Sequence, residues 1–161
     1  MRYLKGKSKQ DVLGFIRHTA EIAQNSTCLR SKCGSVIVKD GEIIGEGFNS
    51  PPQNLRSQNR CLRKHELKKG FKSDKTCCIH AEQRAIMDAL KRNAEKLSGS
   101  RLYFIRLNDK DEIAFAGKPY CTICSKMALD SGIKAFVLFH AEGIGVYDME
   151  EYNDLSFSYI E

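Results

Sequence analysis

Two short stretches carry residues that could do metal chemistry. His80-Ala81-Glu82 is followed by Cys121-Thr122-Ile123-Cys124, the first cysteine lying 41 positions after the histidine. One imidazole and two thiolates make a three-ligand zinc site and leave the fourth tetrahedral position to water, whose pKa the ion lowers from about 15.7 to about 7. A carboxylate two residues past the histidine can move protons beside that water. Each half is weak alone, because a C-x-x-C also serves redox pairs and structural zinc, and a histidine or glutamate opening a helix is commonly a cap or a partner of the helix dipole. Together, in this order and with Pro119 just upstream of the cysteines, they read as a hydrolytic centre. His80, Cys121 and Cys124 would be the zinc ligands and Glu82 the proton shuttle.

Those residues must be held by elements whose periodicity is legible. Placing Cys121 and Cys124 three apart at a helix start puts both sulfurs on one face, where the positive end of the dipole favours the thiolate. That helix is expected over residues 121–131, closed by Gly132. His80 opens another, expected over residues 80–96. Ser8-Lys9-Gln10-Asp11 resembles a helix cap, and Val12, Phe15, Ile16, Thr19, Ala20 and Ala23 recur at helical spacing to about Asn25. Residues 33–38 and 42–48 are rich in apolar and β-branched side chains and flank Asp40-Gly41, which predicts an antiparallel hairpin. Residues 102–107 and 133–139 read as buried strands, and the alternation with helices predicts an α/β fold with parallel strands. Residues 49–75 read as a long loop with a short helix near residues 62–68, and residues 142–161 suit a strand or a helix equally.

Length and composition bound the rest. A chain of 161 residues fits a single domain, 1–161, with a core that needs no disulfide staples. No apolar run is long enough to cross a membrane, and the first ten residues lack a signal-peptide stretch, so a soluble, cytoplasmic protein is expected. Seven cysteines suit metal ligation or buried thiols in a reducing compartment better than a disulfide framework. Much of the formal charge of +6 lies in Arg56, Arg60, Arg63, Lys64, Lys68, Lys69, Lys72 and Lys75. Such a cluster would attract a phosphorylated substrate or a nucleic acid, or be a solvated loop.

Four stretches make the chain resemble the cytidine and deoxycytidylate deaminase superfamily, and most closely its deoxycytidylate branch. They are Cys33-Gly-Ser-Val-Ile-Val-Lys-Asp-Gly, Gly47-Phe-Asn-Ser-Pro-Pro, His80-Ala-Glu-Gln-Arg-Ala-Ile and Pro119-Tyr-Cys-Thr-Ile-Cys-Ser-Lys-Met-Ala-Leu-Asp-Ser-Gly-Ile. The resemblance implies a three-layer α/β/α fold around a five-stranded mixed sheet, zinc on His80, Cys121 and Cys124, and Glu82 as acid and base. It also implies substrate contacts at Asn49, Ala81 and Pro119, and assembly into a homo-oligomer. Three departures stand out: Tyr120 separates Pro119 from Cys121, Ser50 follows Asn49 where many relatives have glycine, and Arg84 replaces a common asparagine.

The implied reaction is deamination of dCMP to dUMP and ammonia. Its rival is a deaminase acting on cytosine or adenine in single-stranded nucleic acid or tRNA, with the basic run as backbone track. The lack of tryptophan and of basic-aromatic alternation favours the small nucleotide. A third reading is a non-catalytic relative, against which the retained ligands and Glu82 speak. Cys28, Cys61, Cys77 or Cys78, and His65 are enough for a second, structural zinc, and some dCMP deaminases carry one at positions matching Cys28, the Cys61 region and Cys78. The alternative is buried free thiols, of which Cys33, in a strand, is the clearest case.

Overall fold

The computed structural model describes residues 1–61 and 77–159. Strands β1 (Arg2–Tyr3), β2 (Cys33–Lys39), β3 (Glu42–Phe48), β4 (Arg101–Leu107), β5 (Ile113–Ala114), β6 (Ala135–His140) and β7 (Gly143–Asp148) form one mixed sheet. Its order is β1-β7-β6-β4-β2-β3, with β5 on β4. Five strands of six or seven residues carry it, as the resemblance implied, and two strands of two residues bring the total to seven. Among the described residues only β4 and β6 run parallel; β2 pairs antiparallel with both β3 and β4. The expectation of parallel strands therefore holds for the one pair joined through a helix.

Local chemistry explains the joints. Asp40 and Gly41 both take positive φ, 50° and 82°, the geometry that suits a two-residue turn to the twist of the β2–β3 hairpin. One extra residue, Ile44, enters β3 opposite Ile37 and Val38, a bulge that turns both Ile44 and Gly45 toward the same side. Between β4 and β6 runs α3 (Thr122–Asp130), closed as expected by Gly132 at φ 80°. On one face of the sheet α1 (Gly6–Gln24) buries Val12, Ile16 and Ala23 against Val36, Tyr103, Ile105 and Val137. On the other, α2 (Ala81–Arg92) and α3 cover Ile37, Leu102 and Phe136 with Ala85, Ile86, Ala89 and Ala128.

Three boundaries differ from the periodicity. The first helix starts at Gly6, with Lys5 in the cap position and no side-chain cap, so Ser8 lies inside it. The second ends at Arg92, because Asn93 leaves helical φ and gives its side-chain amide to the Ile44 carbonyl at 2.9 Å. The tail is both things at once: strand β7, then α4 (Met149–Phe157), capped by the Asp148 carboxylate accepting from the Glu150 N–H. In the long loop, 3₁₀ turns occupy Pro52–Asn54 and Arg56–Gln58. The helix expected near residues 62–68, His65, and Arg63, Lys64, Lys68, Lys69, Lys72 and Lys75 lie outside the described residues. Among the described residues no helix is long and apolar enough to cross a membrane.

The position of α2 depends on two glycines of β3. A Cβ on Gly45 would lie 2.5 Å from the Ala85 carbonyl oxygen and 2.7 Å from the Ala89 methyl, and one on Gly47 would lie 2.5 Å from both the Ala81 carbonyl oxygen and the Ala85 nitrogen. Backbone cannot yield as a side-chain end can. Gly45→Ala is expected to destabilise the fold by about 1–3 kcal/mol, the usual cost of overpacking, read as a lower urea midpoint at unchanged slope.

Candidate active site

Both helices of the α2/α3 layer start at the same end of the sheet, and their caps are the residues singled out by spacing. His80 is the N-cap of α2, and its backbone N–H donates to the Gln83 side-chain oxygen at 3.1 Å. Cys121 is the N-cap of α3, and its sulfur accepts from the Cys124 N–H at 3.5 Å. Across the gap, His80 Nδ1 lies 3.2 Å from Cys124 Sγ and 3.4 Å from Cys121 Sγ. The three ligand atoms all fall within 4.8 Å of one another. Tetrahedral zinc with ordinary Zn–N and Zn–S bonds sets its nitrogen and sulfur ligands about 3.6 Å apart, so this donor set fits the ion. Nδ1 is the nitrogen turned inward.

The protons of this cluster are already shared. A hydrogen bond from Cys124 and then one with His80 pull the Cys121 thiol down to about 4, against the opposing effect of burial, while Cys124 is driven up. His80 is raised, first by its hydrogen bond to Cys121. A cation entering the cluster therefore displaces protons from the imidazole and a thiol.

Glu82, only 6% exposed, lies in the first turn of α2. Burial raises its carboxyl to about 7, the negative charge of Cys121 adds to this, and the charge of His80 and a hydrogen bond with Cys124 oppose it. Such a group exchanges protons near neutral pH.

The three expected substrate contacts are all buried. Asn49, at the end of β3, is buried and spends most of its amide on the α1–β2 connection. Its Oδ1 accepts from the Cys33 N–H at 2.8 Å and the Ser26 hydroxyl at 2.6 Å, and its Nδ2 donates to the Ser31 carbonyl at 2.8 Å. One N–H is left for a ligand. Ala81 is fully buried between α2 and β3, and Pro119 is buried ahead of Cys121.

Periodicity and spacing missed several neighbours. Cys33, expected as a buried free thiol, is a free cysteine; burial pushes it up to about 12, and the charge of Glu82 adds to this. Arg30 bears on His80, and Arg106 on Cys33 and Tyr120. Tyr120 was noted only as a spacing departure. The signal available was strand register, which sets Arg106 opposite Cys33. Arg84, the third departure, donates to the Ser50 carbonyl at 3.3 Å, the Ser50 hydroxyl at 2.8 Å and the Pro51 carbonyl at 3.0 Å, tying the start of the long loop to α2.

A second cluster lies at the loop. The sulfurs of Cys28, Cys61 and Cys78 fall within 4.8 Å of one another, with Cys28 and Cys61 3.7 Å apart, close to the roughly 3.8 Å between two thiolates on one zinc. Cys77 Sγ is 3.8 Å from Cys78 Sγ, and His65 lies outside the described residues. A hydrogen bond from Cys78 pulls Cys28 down to about 5.

Residues 9–140 match the family model described as the cytidine and deoxycytidylate deaminase zinc-binding region. A deoxycytidylate deaminase of Mycobacterium phage D29 is 31% identical over 129 residues, 76% of this chain and 89% of that protein. One of Schizosaccharomyces pombe is 25% identical over 141 residues, 86% of this chain but 38% of the yeast protein. Among solved structures, the dCMP deaminase of cyanophage S-TIM5 in complex with dCMP and dUMP superposes with a TM-score of 0.57 at 27% identity, covering 83% of this chain and 82% of that one. A cytidine deaminase from Burkholderia pseudomallei, 16% identical, shares the fold with a TM-score of 0.56 over 87% of this chain and 94% of its own.

The electrostatics of Glu82 give a signed expectation for the metal-free protein. A carboxyl whose value rises from 4.5 to about 7 on folding stabilises the fold fully below 4.5 and loses that contribution as pH rises through about 7. Glu82→Gln removes the ionisation. It is expected to match the wild type near pH 4 and to exceed it by up to about 3 kcal/mol at pH 8, measured by urea unfolding of metal-free samples. A difference that shrinks with rising pH would contradict the assigned burial.

Proposed function

The chain belongs to the cytidine and deoxycytidylate deaminase family, and from that premise we propose that it is a zinc-dependent hydrolase converting dCMP to dUMP and ammonia. The observation that carries the reading is the placement of Glu82, buried beside the convergent His80, Cys121 and Cys124. His80 Nδ1 and the two sulfurs would hold the zinc. Bound there, the ion supplies Lewis acidity and a water acidic enough to ionise near neutral pH.

The chain's own part is to position the base and carry protons. Glu82 takes the proton of the attacking water, delivers it to the pyrimidine nitrogen beside the amino-bearing carbon, and then assists the amino group to leave as ammonia. Its carboxyl near 7 suits both directions of transfer. Asn49 offers its remaining amide N–H to the nucleotide, with Ala81 and Pro119 lining the base. The enclosing helix ends limit solvent at the reacting carbon.

We further assign Cys28, Cys61 and Cys78 to a structural zinc that joins the end of α1, the long loop and the approach to α2, with His65, outside the described residues, as the fourth ligand. Exposed Met87 and Leu90 of α2, Ile123 of α3 and Leu155 of α4 support assembly of copies through the helical layer. Free cysteines at all seven positions suit a reducing compartment such as the cytoplasm.

Zinc-loaded protein is expected to release ammonia from dCMP, tested beside cytidine, CMP, dCTP, single-stranded DNA and tRNA. Turnover confined to the polymers would move the assignment to nucleic acid. Glu82→Gln should lower kcat by about 10²–10⁴-fold while keeping its zinc, because the carboxylate is not a ligand. Metal analysis supplies the second check: two zinc ions per chain in the wild type, one in Cys28→Ser or Cys78→Ser, and loss of the catalytic ion in His80→Ala. One zinc in metal-replete wild type would dispose of the structural site.

A further inference from the structure

Two side chains at the mouth of the site have no role in the chemistry above. Tyr120 stands between buried Pro119 and the N-cap of α3, so its backbone is fixed on both sides. Its ring is 58% exposed and meets that of Tyr159, beyond α4, at a centroid distance of 5.9 Å and an interplanar angle of 51°. Tyr120 directly precedes Cys121 in the chain, and the charges of Glu82, Cys33 and Cys121 reach it. A tyrosine placed this way fills no core; it presents an exposed ring beside Cys121.

Arg106 is the second. In the antiparallel β2–β4 pair it lies directly across from Cys33, so both side chains leave the same face of the sheet, the one covered by α2 and α3. Arg106 is exposed, its charge bears on both Cys33 and Tyr120, and among the described residues it enters no salt bridge. An aromatic ring next to Cys121 and a guanidinium across from Cys33 are thus both exposed and without a part in the chemistry.

We propose that Tyr120 and Arg106 form the substrate-reading rim of this site, Tyr120 stacking on the pyrimidine and Arg106 binding the phosphate of a mononucleotide. The inference rests on the deaminase reading. The amino-bearing edge of the base must face Glu82, which leaves the sugar and phosphate directed outward, toward the rim. Aromatic faces stack on any base, and a guanidinium pairs with phosphate through parallel N–H donors. Because Arg106 grows from a strand and Tyr120 is pinned at a helix start, both groups are held by rigid elements. Contributions of this kind select a free nucleotide over a nucleoside.

The test uses the zinc-loaded full chain, titrated calorimetrically with dUMP and with deoxyuridine, neither of which has an amino group to lose. Arg106→Gln is expected to weaken dUMP roughly tenfold and deoxyuridine less than about twofold, the difference being the charge-assisted phosphate contact. Tyr120→Ala should weaken both by roughly tenfold, and Tyr120→Phe should restore most of the affinity, since the ring face and not the hydroxyl does the stacking. Both side chains are exposed, so neither change opens a cavity; zinc content and unfolding midpoint check that each variant is intact. Equal weakening of both ligands by Arg106→Gln, or no effect of Tyr120→Ala, overturns the rim. If the wild type turns over dCMP while these variants bind as it does, the rim alone fails. If the wild type neither binds dUMP nor deaminates dCMP, the deaminase reading fails and the rim with it.

Discussion

Two helices begin at one point of the sheet, and the chemistry depends on that meeting. His80 and Cys124 stand 3.2 Å apart although 44 positions separate them, because α2 and α3 both direct their N-termini to the end of β3 and β4. The partial positive charge of each terminus favours thiolate and carboxylate there. It also opposes an imidazolium, and in the metal-free cluster the proton is shared between His80 and Cys121. A divalent cation resolves that conflict by replacing the proton. The close approach of α2 needs glycine at 45 and 47, so a backbone feature of an edge hairpin sets the location of His80.

Glu82 shows the same coupling in reverse. Its burial is unfavourable to the charged form, and small residues around it, Ala81 and Ala85, allow the helix to come so near the sheet that solvent is excluded. That exclusion lifts the carboxyl into the range where proton uptake and release both cost little. The burial that raises the carboxyl is thus the same burial that costs the metal-free fold stability as pH rises.

Much of this could be read from residue order. The 40–41 turn was legible because Asp-Gly suits positive φ at both positions, and the end of α3 because Gly132 takes the left-handed conformation. The convergence of His80, Cys121 and Cys124 was legible because ligand chemistry demands particular residue types at short spacings. What could not be read depends on tertiary partners. The start of α1 at Gly6 has no capping side chain to announce it. The short strands β1 and β5 exist only through their pairing with β7 and β4, and two residues carry no period. Arg106 and Cys33 sit side by side through register, 73 positions apart in sequence, and the tail alternated between strand and helix because it contains one of each.

The loop between β3 and α2 belongs to the same logic. Its two ends are tied together by a bridge between Ser50 and Ile79 and by the hydrogen bonds of Arg84 to Ser50 and Pro51. With the ends joined, the length between them matters little to the fold, since closure entropy grows slowly with loop size. Cys61, between those ends, and Cys78, beside one of them, meet Cys28 at the end of α1, so the thiol cluster links the helix on one face of the sheet to the helix start on the other. His80 lies two residues beyond Cys78. A tie at Cys78 therefore limits the freedom of the backbone that aims the imidazole, and the fixed sheet does the rest, holding Cys121 and Cys124 where that imidazole arrives.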